Sequence, residues 1–163
     1  MLTQLLLSSA IIAMILSSML AGIYFIFSNT IMPSLKKTTE GIETMQHINQ
    51  VIQNPLFFIV FFGSAVSSVA VLVTSTMTSN ENFQPTLFLA SICLILTFLS
   101  TIMINVPLNN MLGTVKQGDS HARAWAYYQR KWVRWNHLRT LLCTLSSVLY
   151  AGEILKLVLL LSH

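Results

Sequence analysis

LLLSSAIIAMILSSMLAGIYFIF, residues 5–27, carries no charge and is apolar around the whole circumference of a helix, diluted only by Ser, Ala and Gly. A bilayer core about 30 Å thick needs roughly 20 mainly apolar residues in one helix. The stretch is therefore long enough to cross a membrane. A cleaved signal peptide is the alternative, but it would need a basic segment before a shorter apolar run, and no charged side chain precedes Lys36.

Three further charge-free stretches follow, at residues 44–80, 82–115 and 140–152. Apolar residues also continue beyond Glu153, which interrupts the last stretch. Hydrophobic residues make up 54% of the 163 residues and charged ones only 9%, against about 25% charged in a soluble domain. A soluble bundle would show a polar face on each helix, and a membrane barrel would alternate apolar and polar residues.

We therefore expect an all-α fold, an integral membrane four-helix bundle with interfacial amphipathic helices in loops 1 and 3. Backbone groups in lipid must be satisfied within the segment, which favours helices. Short connections leave room for one transmembrane domain over residues 1–163. The predicted spans are Leu5–Asn29, Pro55–Thr76, Thr86–Asn105 and Leu138–Leu160.

Basic residues crowd into the first and third connections, near residues 33–53 and 111–139, whereas the second, near Ser79–Gln84, holds only Glu81. The positive-inside rule therefore places loops 1 and 3 in the cytoplasm and both termini outside. We expect a multi-pass protein of a bacterial inner membrane. Lys156 is the exception, and it can snorkel or pair with Glu153. The net charge of +4 is thus an orientation signal, and no nucleic acid is expected as a partner.

Two cysteines, Cys93 and Cys143, fall inside predicted spans, at depths that differ by roughly 10–15 Å at ~1.5 Å per residue. A disulfide needs Cα atoms within about 7 Å, so we interpret both as packing residues. The sequence has no CxxC or HExxH pair, and no metal site is predicted.

Polar side chains gather where the spans meet loops 1 and 3. Amides, an imidazole and a guanidinium would converge there, beside apolar helices, as in many small-molecule pockets. The alternative is that these groups only cap helix ends, since Asn and Pro often mark boundaries. The candidates are Tyr24, Asn29, Asn105, Asn109, Asn136, His137 and Arg139.

An aromatic stripe precedes the fourth span, with Trp125, Tyr128, Trp132 and Trp135 at helical spacing and arginines on other faces. The pattern predicts an amphipathic helix that either lies at the headgroups or covers the pocket and stacks on a flat ligand. Loop 1 has a shorter counterpart, residues 42–52. Its His47 points either to the pocket or to water.

Three segments together resemble one family of small four-span membrane proteins. They are Ala21–Leu35, the Asn-x-Pro-x-Asn motif at Asn105–Asn109 and the Trp-Asn-x-x-Arg motif at Trp135–Arg139. That family is known chiefly as a domain of unknown function, and its characterised members are the anthrone oxygenases of polyketide pathways. The resemblance covers nearly the whole chain, and it identifies the family better than the reaction.

The resemblance implies an oxygenase that needs no cofactor. An anthrone has an acidic CH₂ whose carbanion can react with dioxygen to give a quinone, which requires a base and donors for the enolate oxygen. His137, or else His47, would be the catalytic base, because a neutral imidazole with a pKa near 6.5 suits that role. Trp132 and Trp135 would stack on the rings. The oxyanion would be held by Asn105, Asn109, Asn136 and Arg139.

Two other functions stay open at this stage. The chain could be a non-catalytic subunit or a small-molecule-binding protein, and its partners would then be the bilayer and an aromatic compound. Four spans with histidines could also hold haem, or serve a quinone or flavin, but haem b normally needs an axial histidine within the membrane. His137 lies at a span edge, whereas His47 and His121 lie in loops and His163 is last. A homo-oligomer is open as well.

Overall fold

The computed structural model describes residues 1–38, 40–78, 84–116 and 121–161. Within these ranges the chain is helical, and no strand occurs. Most of the second connection, with Glu81, and the residues Asp119 and His163 lie outside them. The helices are α1 (Leu2–Ile26), α2 (Met32–Lys36), α3 (Gly41–Val51), α4 (Pro55–Thr78), α5 (Pro85–Ser100), α6 (Val106–Gly113) and α7 (His121–Leu161).

Four of the helical segments are long and apolar enough to cross a membrane. Span 1 joins α1 to α2 (Leu2–Lys36) and span 3 joins α5 to α6 (Pro85–Gly113), whereas α4 and α7 supply spans 2 and 4. Both α1 and α5 pack against α4 and α7, which gives an up-down-up-down bundle. The predicted all-α membrane bundle is confirmed.

The core of the bundle is built from apolar side chains and small hydroxyl residues. Ser17 and Ser68 are buried, as the small-residue spacing of membrane helices suggests. Cys93 and Cys143 are buried and free, as predicted. In the C-terminal part of α7, Lys156 Nζ lies 3.1 Å from Glu153 Oε2. The buried apolar members are Leu6, Ala10, Ala13, Leu20, Tyr24, Val60, Val71, Leu87, Ala90, Leu94, Cys143, Tyr150 and Leu157.

Three of the spans are longer than a bilayer requires, and their excess lies at one end. The 41 residues of α7 extend ~60 Å at 1.5 Å per residue, about twice the hydrocarbon thickness. We call this end the head; it comprises α2, α3, α6 and residues 121–138 of α7. The amphipathic helix predicted in loop 3 is present, but it continues into span 4 without a break.

The head has its own apolar core, separate from that of the membrane bundle. The helix predicted in loop 1 is α3, whose apolar face packs into this core. Trp125, Tyr128 and Trp132 of the α7 aromatic stripe pack there too, whereas Trp135 is not part of this core. The buried members are Phe27, Met32, Leu35, Ile42, Met45, Leu108, Leu112, Tyr128 and Trp132.

Two π-helical turns connect the membrane part of spans 1 and 3 to the head, at Phe27–Ile31 and Thr101–Asn105. Each is followed two residues later by a proline, Pro33 or Pro107. In an uninterrupted α-helix the proline ring would collide with the carbonyl four residues earlier. The wider π-turn gives the proline ring room, so each helix continues past the position at which the sequence suggested that it ends.

Candidate functional site

A cavity of about 300 Å³ lies between the membrane core and the core of the head. All four spans and α3 contribute to its wall. It combines amides and one guanidinium with aromatic rings. Its lining residues are Ile23, Tyr24, Phe27, Asn49, Ile52, Gln53, Phe57, Phe58, Phe61, Phe62, Thr101, Ile102, Asn105, Val106, Asn109, Asn110, Trp132, Asn136 and Arg139.

Arg139 is the one basic side chain in this lining, and it is only 4% exposed. Its guanidinium donates to Thr101 Oγ1 at 3.1 Å and to Asn136 Oδ1, and it lies 4.2 Å from the centre of the Tyr24 ring. Among the described residues, no carboxylate pairs with it. A buried charge without a counter-ion is costly, so this end of the cavity favours an anionic or oxyanionic ligand.

Asn136 ties α7 to span 1 and fixes the position of Arg139. Its amide donates to the Tyr24 carbonyl and, at 2.6 Å, to Ser28 Oγ, while its own oxygen accepts from Arg139. Tyr24 and Ser28 flank the start of the first π-turn, and Thr101 opens the second. Such turns are frequent at functional sites. Here both of them face the same pair of side chains on α7.

Asn105 differs from Asn136 in having no hydrogen-bond partner for either atom of its amide, although it is only 2% exposed. Arg139 Nε and Trp132 Nε1 are likewise buried without a partner. Buried polar groups are nearly always hydrogen-bonded in proteins. Three groups of the same cavity wall are therefore left with bonding capacity for a ligand.

Phenylalanine rings of α4 form the apolar side of the cavity, and Phe98 of α5 packs against two of them. Phe57 and Phe61 stack with ring centres 5.9 Å apart, and Phe61 stacks on Phe98 at 4.9 Å. Phe62 meets Phe98 edge to face at 5.7 Å. Aromatic rings prefer offset-stacked or edge-to-face contacts, so this side suits a flat aromatic ligand.

A second groove, of about 280 Å³, adjoins the cavity between α3 and α6. Tyr128 lies nearby and donates to Asn109 Oδ1 at 2.9 Å. Four residues line both spaces, so the cavity continues into an amide-rich channel in the head. The groove is lined by Gln46, Asn49, Gln50, Gln53, Asn109, Asn110 and Gly113.

The two histidines proposed as bases lie outside the cavity. His137 is exposed, because α7 turns about 100° per residue and its neighbour Asn136 occupies the inward position. His47 is exposed on α3 and lines a shallow neighbouring depression that shares Phe27 and Ile52 with the cavity, although His47 itself is not in the cavity lining. The structure thus gives neither imidazole direct access to a ligand beside Arg139.

The other predicted site residues divide into two groups. Tyr24, Trp132 and the four polar residues that were expected to hold an oxyanion are brought together in the cavity lining. Trp135 is half-buried and outside it, because it precedes the inward-facing Asn136 by one residue and is rotated about 100° from it. Asn29 is exposed, and its amide nitrogen donates a hydrogen bond to the Phe25 carbonyl at 3.2 Å.

Sequence reasoning missed Asn49, Gln53 and the phenylalanines of α4. Asn49 could have been found, because it shares the inward face of α3 with Ile42 and Met45 at helical spacing. The phenylalanines gave no signal within an apolar run. No group of three or more His, Cys, Asp or Glu side chains suited to a metal occurs among the described residues.

The chain matches a protein-family model. The family model described as Anthrone oxygenase matches residues 56–149, more than half of the chain. The matched region runs from the start of α4 through most of α7 and includes Asn105, Asn136 and Arg139. No curated protein and no solved structure matches.

Proposed function

The chain belongs to the anthrone oxygenase family, and from that membership we propose that it is a cofactor-independent oxygenase of an enolisable fused-ring aromatic compound. The observation that carries the proposal is the buried guanidinium of Arg139, which faces an aromatic cavity without a carboxylate partner among the described residues. The substrate would be bound with its carbonyl oxygen at Arg139. Its rings would lie against the phenylalanine side.

Arg139 would act on the first step, the loss of a proton from the CH₂ opposite the ring carbonyl. The resulting negative charge is shared with the carbonyl oxygen, so a cation held against that oxygen lowers the barrier. Donors fixed before the reaction are effective because they need no reorganisation as charge develops. Asn136 and Thr101 hold the guanidinium in place, and Arg139 Nε is unused.

The carbanion would then attack dioxygen directly. For a CH₂ group the balanced reaction is R₂CH₂ + O₂ → R₂C=O + H₂O, in which one oxygen atom becomes the new carbonyl and the other leaves as water. The four electrons come from the substrate carbon, so no external reductant is required. No histidine or carboxylate occurs among the described residues that line the cavity and the groove. The proton removed from the substrate CH₂ would therefore pass to water through the amide-lined groove of the head.

The test uses the protein in lipid nanodiscs with 1,8-dihydroxyanthrone, following oxygen uptake and quinone absorbance. Arg139→Gln should reduce kcat by about 10²–10³, the usual effect of removing one oxyanion donor. Arg134→Gln is the matched control, because Arg134 is exposed on the same helix five residues before Arg139. Under argon, the parent should develop the enolate absorbance and Arg139→Gln should not. Equal activity of the two variants would refute the role of Arg139.

The same assay decides the histidine assignment. Since neither side chain lines the cavity, His137→Ala and His47→Ala should each retain activity within about threefold, far less than the 10²–10⁴ expected of a general base. A loss of that larger size in either variant would restore the imidazole as proton acceptor and exclude the route through the groove.

A binding protein without catalysis is the second candidate. It is favoured by the lack of a histidine or carboxylate among the described residues of the cavity. Such a protein would bind the anthrone under argon but consume no oxygen in air. An absorbance scan of the purified protein tests the cofactor-independent proposal at the same time, because haem gives a Soret band and flavin its own two bands.

A further inference from the structure

One side of the cavity wall is also part of the outer surface of the protein. Phe58 and Phe62 of α4 line the cavity and are 40% and 49% exposed. Facing them, Ile102 and Val106 line it from span 3 and are exposed as well. A side chain that lines the cavity and is also exposed on the outer surface lies at an opening of the cavity. The cavity therefore opens sideways, between span 2 and span 3.

The packing of the helices accounts for this opening. α4 packs on α1 and on α5, whereas its contact with α6 is at most slight. The π-turn at Thr101–Asn105 separates α5 from α6 at this level. The four described residues that border the gap, Phe58, Phe62, Ile102 and Val106, are all apolar.

The depth of the opening decides what it faces. Phe58 and Phe62 follow Pro55, the first residue of α4, by three and seven residues, which is ~5 and ~11 Å along the helix axis. The 24 residues of α4 are only slightly more than the roughly 20 that a bilayer core requires. The mouth therefore lies within the hydrocarbon layer, close to its head-side surface.

We propose that a flat, apolar aromatic substrate reaches Arg139 from the bilayer through this opening, which we call the lateral mouth. The inference rests on the proposed function for the identity of the ligand as substrate. Fused-ring compounds concentrate in lipid because transfer of apolar surface out of water is favourable. Access from the hydrocarbon side would present them to the phenylalanine rings first.

The two openings of the cavity also define the substrate class. The lateral mouth is apolar, whereas the groove that leaves the cavity toward the head is lined by Gln and Asn side chains. A ligand that fills both environments has an apolar ring edge toward the membrane and oxygen substituents along the opposite edge. The lateral mouth thus selects fused aromatic rings hydroxylated on one side, and it disfavours compounds with charged groups on both edges.

The test blocks each opening separately and measures binding, not turnover. The probe is 1,8-dihydroxyanthraquinone, a quinone that the protein does not oxidise, and its association is followed by quenching of tryptophan fluorescence in nanodiscs, since Trp132 lines the cavity. Phe62→Cys, Phe25→Cys and Gln50→Cys are each measured before and after reaction with N-phenylmaleimide. Phe25 is 56% exposed on α1 and absent from the cavity lining, so it is the matched control.

Labelled Phe62→Cys should bind the probe at least about tenfold more slowly than the unlabelled variant, which lies within the roughly one to three orders of magnitude over which association rates vary among variants of one site. Labelled Phe25→Cys should change less than about twofold, and labelled Gln50→Cys should be slowed less than labelled Phe62→Cys. The parent, whose two cysteines are buried, is the labelling blank. If Phe62→Cys does not fold, Ile102→Cys replaces it at the other rim.

Each outcome separates this proposal from the proposed function. Binding that is slowed more in labelled Phe62→Cys than in labelled Gln50→Cys supports the lateral mouth, even if the parent consumes no oxygen with an anthrone. Binding that is slowed as much or more in labelled Gln50→Cys means that the ligand arrives from water, and it overturns the lateral mouth while leaving catalysis intact. Unchanged binding in all three variants, or no binding by the parent, overturns it as well.

Discussion

Asn105 and Asn136 offer the most direct test of which buried amide serves a ligand and which serves the fold. Both are almost fully buried and both line the cavity. Asn136 makes three hydrogen bonds to neighbouring groups, whereas neither atom of the Asn105 amide has a partner. The same substitution to leucine, whose side chain has the same branched arrangement of heavy atoms, should therefore change stability in opposite directions.

The magnitudes follow from the contacts. An unsatisfied buried polar group costs about 1–3 kcal/mol, so Asn105→Leu should raise the free energy of unfolding by about that amount. Asn136→Leu removes its bond to Arg139 and leaves that charge with one partner fewer. Removing one partner of a buried hydrogen bond costs about 1–3 kcal/mol, and more where the remaining group is charged. With about 2–4 °C per kcal/mol for a chain of this size, the two melting temperatures should diverge by at least about 4 °C.

The assay is thermal unfolding of parent and variants in the same detergent, followed by tryptophan fluorescence, together with binding of 1,8-dihydroxyanthraquinone. Asn105→Leu should be more stable than the parent and yet bind the quinone at least about tenfold more weakly, a loss of about 1.4 kcal/mol or more. A drop in stability similar to that of Asn136→Leu would refute the reasoning. It would mean that the Asn105 amide supports the fold.

Two further predictions concern the head and its sidedness. Gly41→Ala should lower the melting temperature and the protease resistance, because the new Cβ would collide with the Leu35 carbonyl and press on the Trp125 ring. Gly22 has open space around it, so Gly22→Ala is the control and should be neutral. Equal melting temperatures of the two variants would contradict this prediction. Cysteines at Thr38 and Thr114, both exposed beside the head helices, should resist an impermeant thiol reagent in whole cells once Cys93 and Cys143 are replaced. The reason is that the positive-inside rule predicts a cytoplasmic head. Labelling from outside would reverse the predicted orientation.

The four spans could be predicted because an uncharged apolar run of roughly 20 residues itself indicates a membrane-spanning helix. Their head-side limits could not, because polar residues after Asn29 and Asn105 and the prolines Pro33 and Pro107 are typical of helix ends. The structure continues both helices by widening one turn. That solution depends on Asn136, more than a hundred residues from the first turn, which donates to the Tyr24 carbonyl.

The site was predictable in its chemistry but not in its angular detail. The spacing of Asn105 with Asn109, and of Asn136 with Arg139, was enough to group these side chains on common faces. The sequence of α7 is apolar around much of its membrane half, so it does not indicate whether position 136 or 137 points inward. One residue corresponds to about 100° of rotation, and that difference exchanges an amide for an imidazole.

The π-turns at Phe27–Ile31 and Thr101–Asn105 also determine how this gene can tolerate insertions and deletions. A π-turn is an α-helix with one additional residue, so an in-frame loss of three bases at either turn would restore regular helix. Everything on one side of the deletion would then rotate by about 100° relative to the other. In span 1 that rotation would move the Tyr24 carbonyl away from Asn136. Length changes should therefore accumulate in the connections between spans, while the number of codons across each π-turn stays constant.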